Sequence, residues 1–174
     1  MKEIIKKDLY RVYGEKGEGF LHRIFRSPEV KFLVCFRKAQ NSKNPLRLLA
    51  LRRRSIKTGI QIPARTNIGE GFYIGHFGRL IINPEAVLGK NVATGVTIGW
   101  ENRGKREGSP TVGDCVWIGT NAVVVGKITI GDDVLIAPGA FVNFDVPPHS
   151  IVVGNPAKII SRENATEKYI ENKV

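Results

Sequence analysis

A six-residue period runs through the carboxy-terminal two thirds of this chain and leaves little choice of fold. Aliphatic side chains fall at Ile62, Ile68, Ile74 and Leu80, shift frame to Ile82 and Leu88, and then return in step at Val112, Ile118, Val124, Ile130, Ile136 and Val142. Four positions beyond each of the last six comes a second small or aliphatic residue: Val116, Ala122, Ile128, Val134, Ala140 and Val146. Side chains repeat every two residues on a strand and every 3.6 on a helix, so this period belongs to neither alone. It describes a chain that makes a short strand, turns a corner and makes another. Three hexapeptides then close a triangular coil of about 18 residues, and coils stack about 4.8 Å apart. Glycine follows the aliphatic residue at Gly69, Gly75, Gly89, Gly113, Gly119 and Gly131, with Asn91, Asp114, Asn121 and Asp133 nearby. These types suit corners that demand positive φ. The expected fold is mainly β, a parallel β-helix of hexapeptide repeats spanning 59–160.

The register breaks between Ile98 and Val112. The intervening run, residues 100–109, is polar and charged and contains Glu101, Arg103, Lys105, Arg106 and Glu107. A regular scaffold tolerates no such insert in its walls, so this segment should protrude as a loop, the kind of position where function concentrates.

Before Gly59 the signals are helical. Ser27, Pro28 and Glu29 supply a cap, a first-turn proline and a dipole-favoured acid ahead of Phe32, Leu33 and Phe36. Asn44 and Pro45 repeat the signal before Leu46, Leu49 and Ile56, and an earlier helix carries Ile4, Ile5, Leu9 and Val12. Residues 1–58 form this helical segment, and residues 161–174 a carboxy-terminal tail. The net charge of +11 lies wholly in the first part, where 16 Lys or Arg face 5 Asp or Glu; residues 59–174 hold 11 of each. Such a segment fits an anionic surface or an acidic substrate. It lacks the interleaved aromatics of a nucleic-acid module, and no nucleic-acid partner is expected. No apolar run reaches the roughly 20 residues of a membrane span, and no signal-peptide core follows the charged start, so a cytoplasmic protein is expected. Cys35 and Cys115 match no metal or redox spacing and predict no disulfide.

At Ile74-Gly75-His76-Phe77-Gly78, Gly95-Val96-Thr97-Ile98-Gly99 and Val153-Gly154-Asn155-Pro156-Ala157-Lys158 the chain resembles the hexapeptide acetyltransferases. The likeness is to the branch of serine acetyltransferases and bacterial exopolysaccharide O-acetyltransferases. It implies a left-handed β-helix, an exception to the usual right-handed crossover, assembled as homotrimers or paired trimers with sites between coils. It also implies acetyl-CoA as co-substrate and no metal. A lone histidine in a repeat reads as a surface residue; with the motif around it, His76 is the expected general base, taking the proton of an attacking alcohol. By the same resemblance Gly99, Thr120, Ala137 and Pro138 follow the pantetheine, backbone N–H groups near Gly99 stabilise the oxyanion, and Lys158 lies near the phosphates. That lysine reads equally well as a solvated charge. His22 and His149 read as structural, and nothing places a base beside Cys115.

The chain also departs from serine acetyltransferases. Their Asp before the catalytic histidine is Gly75 here, the Asp on the preceding coil is Gln61, and the second histidine of the protruding loop is Ser109. The segment from Asn91 to Val96 is about two residues shorter. Gln61, Asn83 or a backbone carbonyl is left to fix the tautomer of His76. An amino acid needs charged partners for its ammonium and carboxylate, whereas a sugar hydroxyl does not. The acceptor expected from these departures is therefore a saccharide of capsule or exopolysaccharide assembly, free or lipid-linked, with the basic segment peripheral at the inner membrane face. The competing readings are a serine O-acetyltransferase of cysteine biosynthesis and a non-catalytic basic trimer. A zinc hydratase like the γ-class carbonic anhydrases lacks the histidine spacing.

Overall fold

The computed structural model describes residues 3–15, 27–76 and 78–174. Three helices come first: α1 (Glu3–Tyr13), α2 (Pro28–Ala39) and α3 (Pro45–Thr58). Ser27 occupies the cap position of α2 without a side-chain capping bond; its Oγ accepts from the Tyr13 hydroxyl at 3.2 Å. Asn44 does cap α3, its Oδ1 accepting the N–H groups of Leu46 and Arg47, and Gly59 ends the helix at φ 74°. The buried faces of α1 and α2 are those anticipated, with Ile5, Leu9, Phe32, Leu33 and Phe36 almost fully covered. Helix α3 differs. Leu46, Leu49 and Ile56 point outward, and Leu51 and Thr58 are its buried residues.

The chain then winds. The first coil is β1 (Ile60–Gln61), β2 (Asn67–Ile68) and β3 (Tyr73–Ile74); the second is β4 (Leu80–Ile82), β5 (Val87–Leu88) and β6 (Ala93–Thr94). The third is β7 (Thr97–Gly99), β8 (Thr111–Val112) and β9 (Trp117–Ile118); the fourth is β10 (Val123–Val125), β11 (Thr129–Ile130) and β12 (Val134–Ile136). After these come β13 (Phe141–Val142), β14 (Ser150–Val153) and β15 (Lys158–Ser161). The strands stack as three parallel faces, β1-β4-β7-β10-β13, β2-β5-β8-β11 and β3-β6-β9-β12-β14, with β15 closing the third face antiparallel. Both repeat positions line the interior, and Val112, Val116, Ile118, Ala122, Val124 and Ile128 are each at most 2% exposed. Each large aliphatic so buried contributes about 1.5–3 kcal/mol.

The repeat glycines do a different job from the one anticipated. Gly69, Gly75, Gly89, Gly113, Gly119 and Gly131 are absent from the positive-φ positions; Asn91, Asn121 and Asp133 occupy them as their types suggest, and so do Cys115, His149, Gly71, Gly126 and Gly139. At all of them except Gly75, where a Cβ would meet only Tyr73 at 3.6 Å, the glycine provides room for the next coil. A Cβ at Gly69 would stand 2.6 Å from the Gly89 carbonyl oxygen, and one at Gly119 would stand 2.6 Å from the Pro138 nitrogen.

Loop 100–109 folds back on the stack. Glu101 and Gly108 exchange backbone hydrogen bonds, and Lys127 N–H donates to the Arg106 carbonyl at 2.8 Å. At the open edge of the first coil, Arg37 of α2 grips Asp8 of α1 with Nε at 2.6 Å and Nη2 at 3.1 Å. The same guanidinium donates to the Ile68 and Gly69 carbonyls, and Asp8 Oδ1 accepts from Phe72 N–H. One ion pair thereby ties two helices to the first coil. Arg37→Met should cost about 3–5 kcal/mol by leaving Asp8 buried and uncompensated; denaturant unfolding measures it, and a loss below about 1 kcal/mol would show that the clamp is dispensable.

The tail is strapped back by Asp133, which accepts from Ala165 N–H, Thr166 N–H and Thr166 Oγ. His149 Nδ1 lies 3.0 Å from the same carboxylate and 3.4 Å from Glu163. The Asp133 hydrogen bond, reinforced by the Glu163 charge, raises the His149 pKa above the ordinary imidazole value. Its stabilisation is therefore complete below the unfolded pKa and lost as pH climbs through the higher folded one. Amide exchange at Ala165 and Thr166, corrected for intrinsic rate, should accelerate from about pH 6 to pH 8; His149→Gln should abolish the step, and an unchanged step would refute this assignment.

Candidate active site

One corner of the stack breaks its own rule. On the third face Tyr73, Ala93, Trp117 and Leu135 are in register, and on the first face Ile81, Thr97, Val123 and Phe141 are in register. The corners joining them run eight residues from Tyr73 to Ile81, four from Ala93 to Thr97, six from Trp117 to Val123 and six from Leu135 to Phe141. The first corner has two residues too many and the next has two too few. The surplus carries His76 outward, and the deficit withdraws the roof above it.

A pocket of ≈190 Å³ results, lined by Tyr73, Gly75, His76, Ala93, Thr94, Gly95, Trp117, Ile118 and Thr120. Its glycines keep it open: a Cβ at Gly95 would meet only Thr120 Oγ1, at 3.9 Å, within contact range. His76 is exposed. Below it, Gly78 N–H donates to the Thr58 carbonyl at 2.9 Å, so the corner rests on the end of α3. The aromatic walls are braced from behind, Tyr73 by the Arg11 guanidinium 5.4 Å from its ring centre and Trp117 by Tyr169 of the tail, centroid to centroid 4.8 Å.

Thr94 is the residue that the repeat pattern concealed. It takes the register position held by Ile74 below and Ile118 above, and its Oγ1 is buried with no hydrogen-bond partner among the described residues. A hydroxyl in an aliphatic column was the available signal. Buried polar atoms are seldom left unpaired, and this one borders the pocket.

Thr120, Ala137 and Pro138 lie in the corners directly above, in the same column as His76. Gly139 N–H bonds the Thr120 carbonyl, and Phe141 N–H bonds the Gly154 carbonyl one coil higher, so the run to Lys158 tops the column. Gly99 does not join it: it ends β7 at the far edge of the first face, against Val125. Gln61 lines a separate groove beside α3. Asn83 Oδ1 accepts the N–H of Glu85 and closes its own turn. Ser109 Oγ is buried at the base of the loop with no hydrogen-bond partner among the described residues. His22 lies outside the described residues. Burial raises the Cys115 thiol above its ordinary value, the reverse of nucleophile activation.

Residues 109–143 match the bacterial transferase hexapeptide family of six repeats. The chain is 35% identical over 143 residues to a serine acetyltransferase of Helicobacter pylori, covering 83% of that protein and 78% of this one. The chain belongs to the serine acetyltransferase family. It is also 36% identical over 126 residues to serine acetyltransferase 2 of Arabidopsis thaliana, where the match takes in 71% of this chain but only 39% of the plant protein. The crystal structure of the Neisseria gonorrhoeae serine acetyltransferase in complex with serine superposes with a TM-score of 0.76 at 28% identity, over 91% of this chain and 68% of that one. These likenesses overturn the saccharide acceptor expected from the departures at Gln61, Gly75 and Ser109. Those departures carried too much weight, because Gln61 lies in a separate groove, Ser109 sits at the base of the loop, and His76 faces solvent. The hexapeptide-repeat β-helix, with its helical preface, is the fold these proteins share.

The raised Cys115 thiol makes a direct test. Iodoacetamide should alkylate Cys115 at neutral pH several-fold more slowly than free cysteine; faster labelling would point to an activated thiol.

Proposed function

We propose that the chain transfers an acetyl group from acetyl-CoA to the hydroxyl of L-serine, with His76 as general base. The observation that carries this is the placement of His76, in a family of serine acetyltransferases, at the one corner where the coil register opens a pocket. Neutral imidazole accepts the hydroxyl proton as the serine oxygen bonds to the thioester carbon. The tetrahedral oxyanion then collapses, the carbon–sulfur bond breaks, and the imidazolium returns its proton to the departing thiolate. No covalent enzyme intermediate is needed. Thr94 Oγ1 is the donor we assign to the oxyanion in place of the Gly99 backbone, since it already borders the pocket without a partner.

An extended donor would run up the corner column past Gly95, Thr120 and Ala137–Pro138 towards Lys158. Four coil steps of about 4.8 Å give it a track of about 19 Å. The amino acid's ammonium and carboxylate need partners that the pocket lining lacks, His76 being its only ionisable group besides Tyr73. We therefore assign the second wall to a neighbouring copy in a homotrimer.

Thiol release from acetyl-CoA should depend on L-serine and fall about 10²–10⁴-fold in His76→Ala. Thr94→Val should lower kcat with little change in KM for serine. Release that ignores serine, or an unimpaired His76→Ala, would overturn the reading; a monomeric active enzyme in sedimentation would overturn the trimer.

A further inference from the structure

Helix α3 carries a surface that nothing in the fold uses. Only Leu51 and Thr58 of its 14 residues are buried. On the opposite side Leu46, Leu49 and Ile56 stand 74%, 44% and 75% exposed. At 100° per residue these three share one stripe, with Arg53 within it and Arg52 and Lys57 along its two margins. The helix has five cations and no acid, and from residue 30 to residue 69 the chain carries ten Lys or Arg and no Asp or Glu. Among the described residues, no ion pair involves a cation of α3. Beside the stripe a groove of ≈470 Å³, walled by Leu48, Leu51, Ile56, Ile62 and Pro63, continues the apolar surface under the helix.

We propose that α3 is an interfacial anchor that seats this protein on an anionic phospholipid surface. Leu46, Leu49 and Ile56 enter the boundary between headgroups and acyl chains, and Arg52, Arg53 and Lys57 meet the phosphates. The alternatives each leave half of the surface unused. A second copy of α3 would set five cations against five. A nucleic acid would take the charges and offer the exposed leucines and isoleucine nothing in return. Only a surface that is anionic outside and apolar within one helix radius answers both. The anchor also has a position: the corner carrying His76 rests on the last residue of α3 through the Gly78 to Thr58 hydrogen bond. The lipid-facing end of the stack is therefore the end that holds the pocket. This inference is independent of the reaction proposed above.

The test is flotation of the full chain with vesicles of phosphatidylcholine alone and of phosphatidylcholine mixed with phosphatidylglycerol. Binding should appear with the anionic vesicles only. The variant R52Q/R53Q/K57Q should lower partitioning about a hundredfold, each cation near the surface being worth roughly fivefold. The variant L46S/L49S/I56S should lower it about tenfold or more. All six positions avoid the core, and circular dichroism melting verifies that each variant folds. Partitioning that the apolar variant leaves unchanged would reduce the contact to plain electrostatics and overturn insertion. Absence from vesicles, coupled with dissociation of an oligomer in the apolar variant, would assign the face to a second copy. Salt-sensitive retention of RNA without vesicle binding would assign it to nucleic acid. Either result ends the proposal.

Discussion

Everything in this molecule is subordinate to the contact of one coil with the next. Coils stack at the spacing of neighbouring strands, so each corner must leave space for the corner above, and a side chain at Gly69 or Gly119 would collide with backbone or with proline. An insertion cannot stay inside such a wall. The chain exports one insertion as the loop 100–109, which returns to the stack through the Arg106 carbonyl. The other irregularity is handled in place, with two residues added at the His76 corner and two withdrawn from the corner above. Eight and four restore the frame that two sixes would have given, and the strands beyond it, β10 to β13, resume the regular spacing of 18 residues from Val123 to Phe141. Opening a site this way costs the solenoid nothing further along.

A stack of coils also has two raw ends. The lower one is covered by α1 and α2, fixed through Asp8 and Arg37; at the upper one β15 extends the third face, and the tail beyond it is fixed through Asp133 and runs back down the stack to Asn91. These caps reach the site as well. Arg11 of α1 lies over Tyr73, and Tyr169 of the tail lies against Trp117, so both aromatic walls of the pocket are backed by a terminal segment. The elements that close the ends of the fold thereby hold the shape of the place where its chemistry is assigned.

The repeat positions were plain in the sequence because each has one physical duty, to face inward. The glycines were equally visible, but their purpose was misread: positive φ is one reason for glycine and close approach is another, and only the stacked backbone distinguishes them. Leu46, Leu49 and Ile56 mark a helix in the sequence, but spacing defines a stripe without saying which way it turns, and this one turns outward. The missing two residues between Asn91 and Val96 were noticed as an irregularity; their meaning required the matching surplus at His76, which appears once the strands are paired. Thr94 was hidden by its membership of an aliphatic column. The acceptor was misjudged by treating Gln61, Gly75 and Ser109 as the whole of a site, although the structure sends Gln61 to another groove and leaves His76 facing solvent.

The assignment stands or falls on His76, which the long corner sets at the mouth of the pocket, acting as the base that takes the serine proton. His76→Gln keeps a hydrogen-bonding side chain there that cannot take a proton. That variant should melt within a few degrees of the native chain and no longer release thiol from acetyl-CoA in the presence of serine. A folded His76→Gln protein with native turnover would refute the assignment.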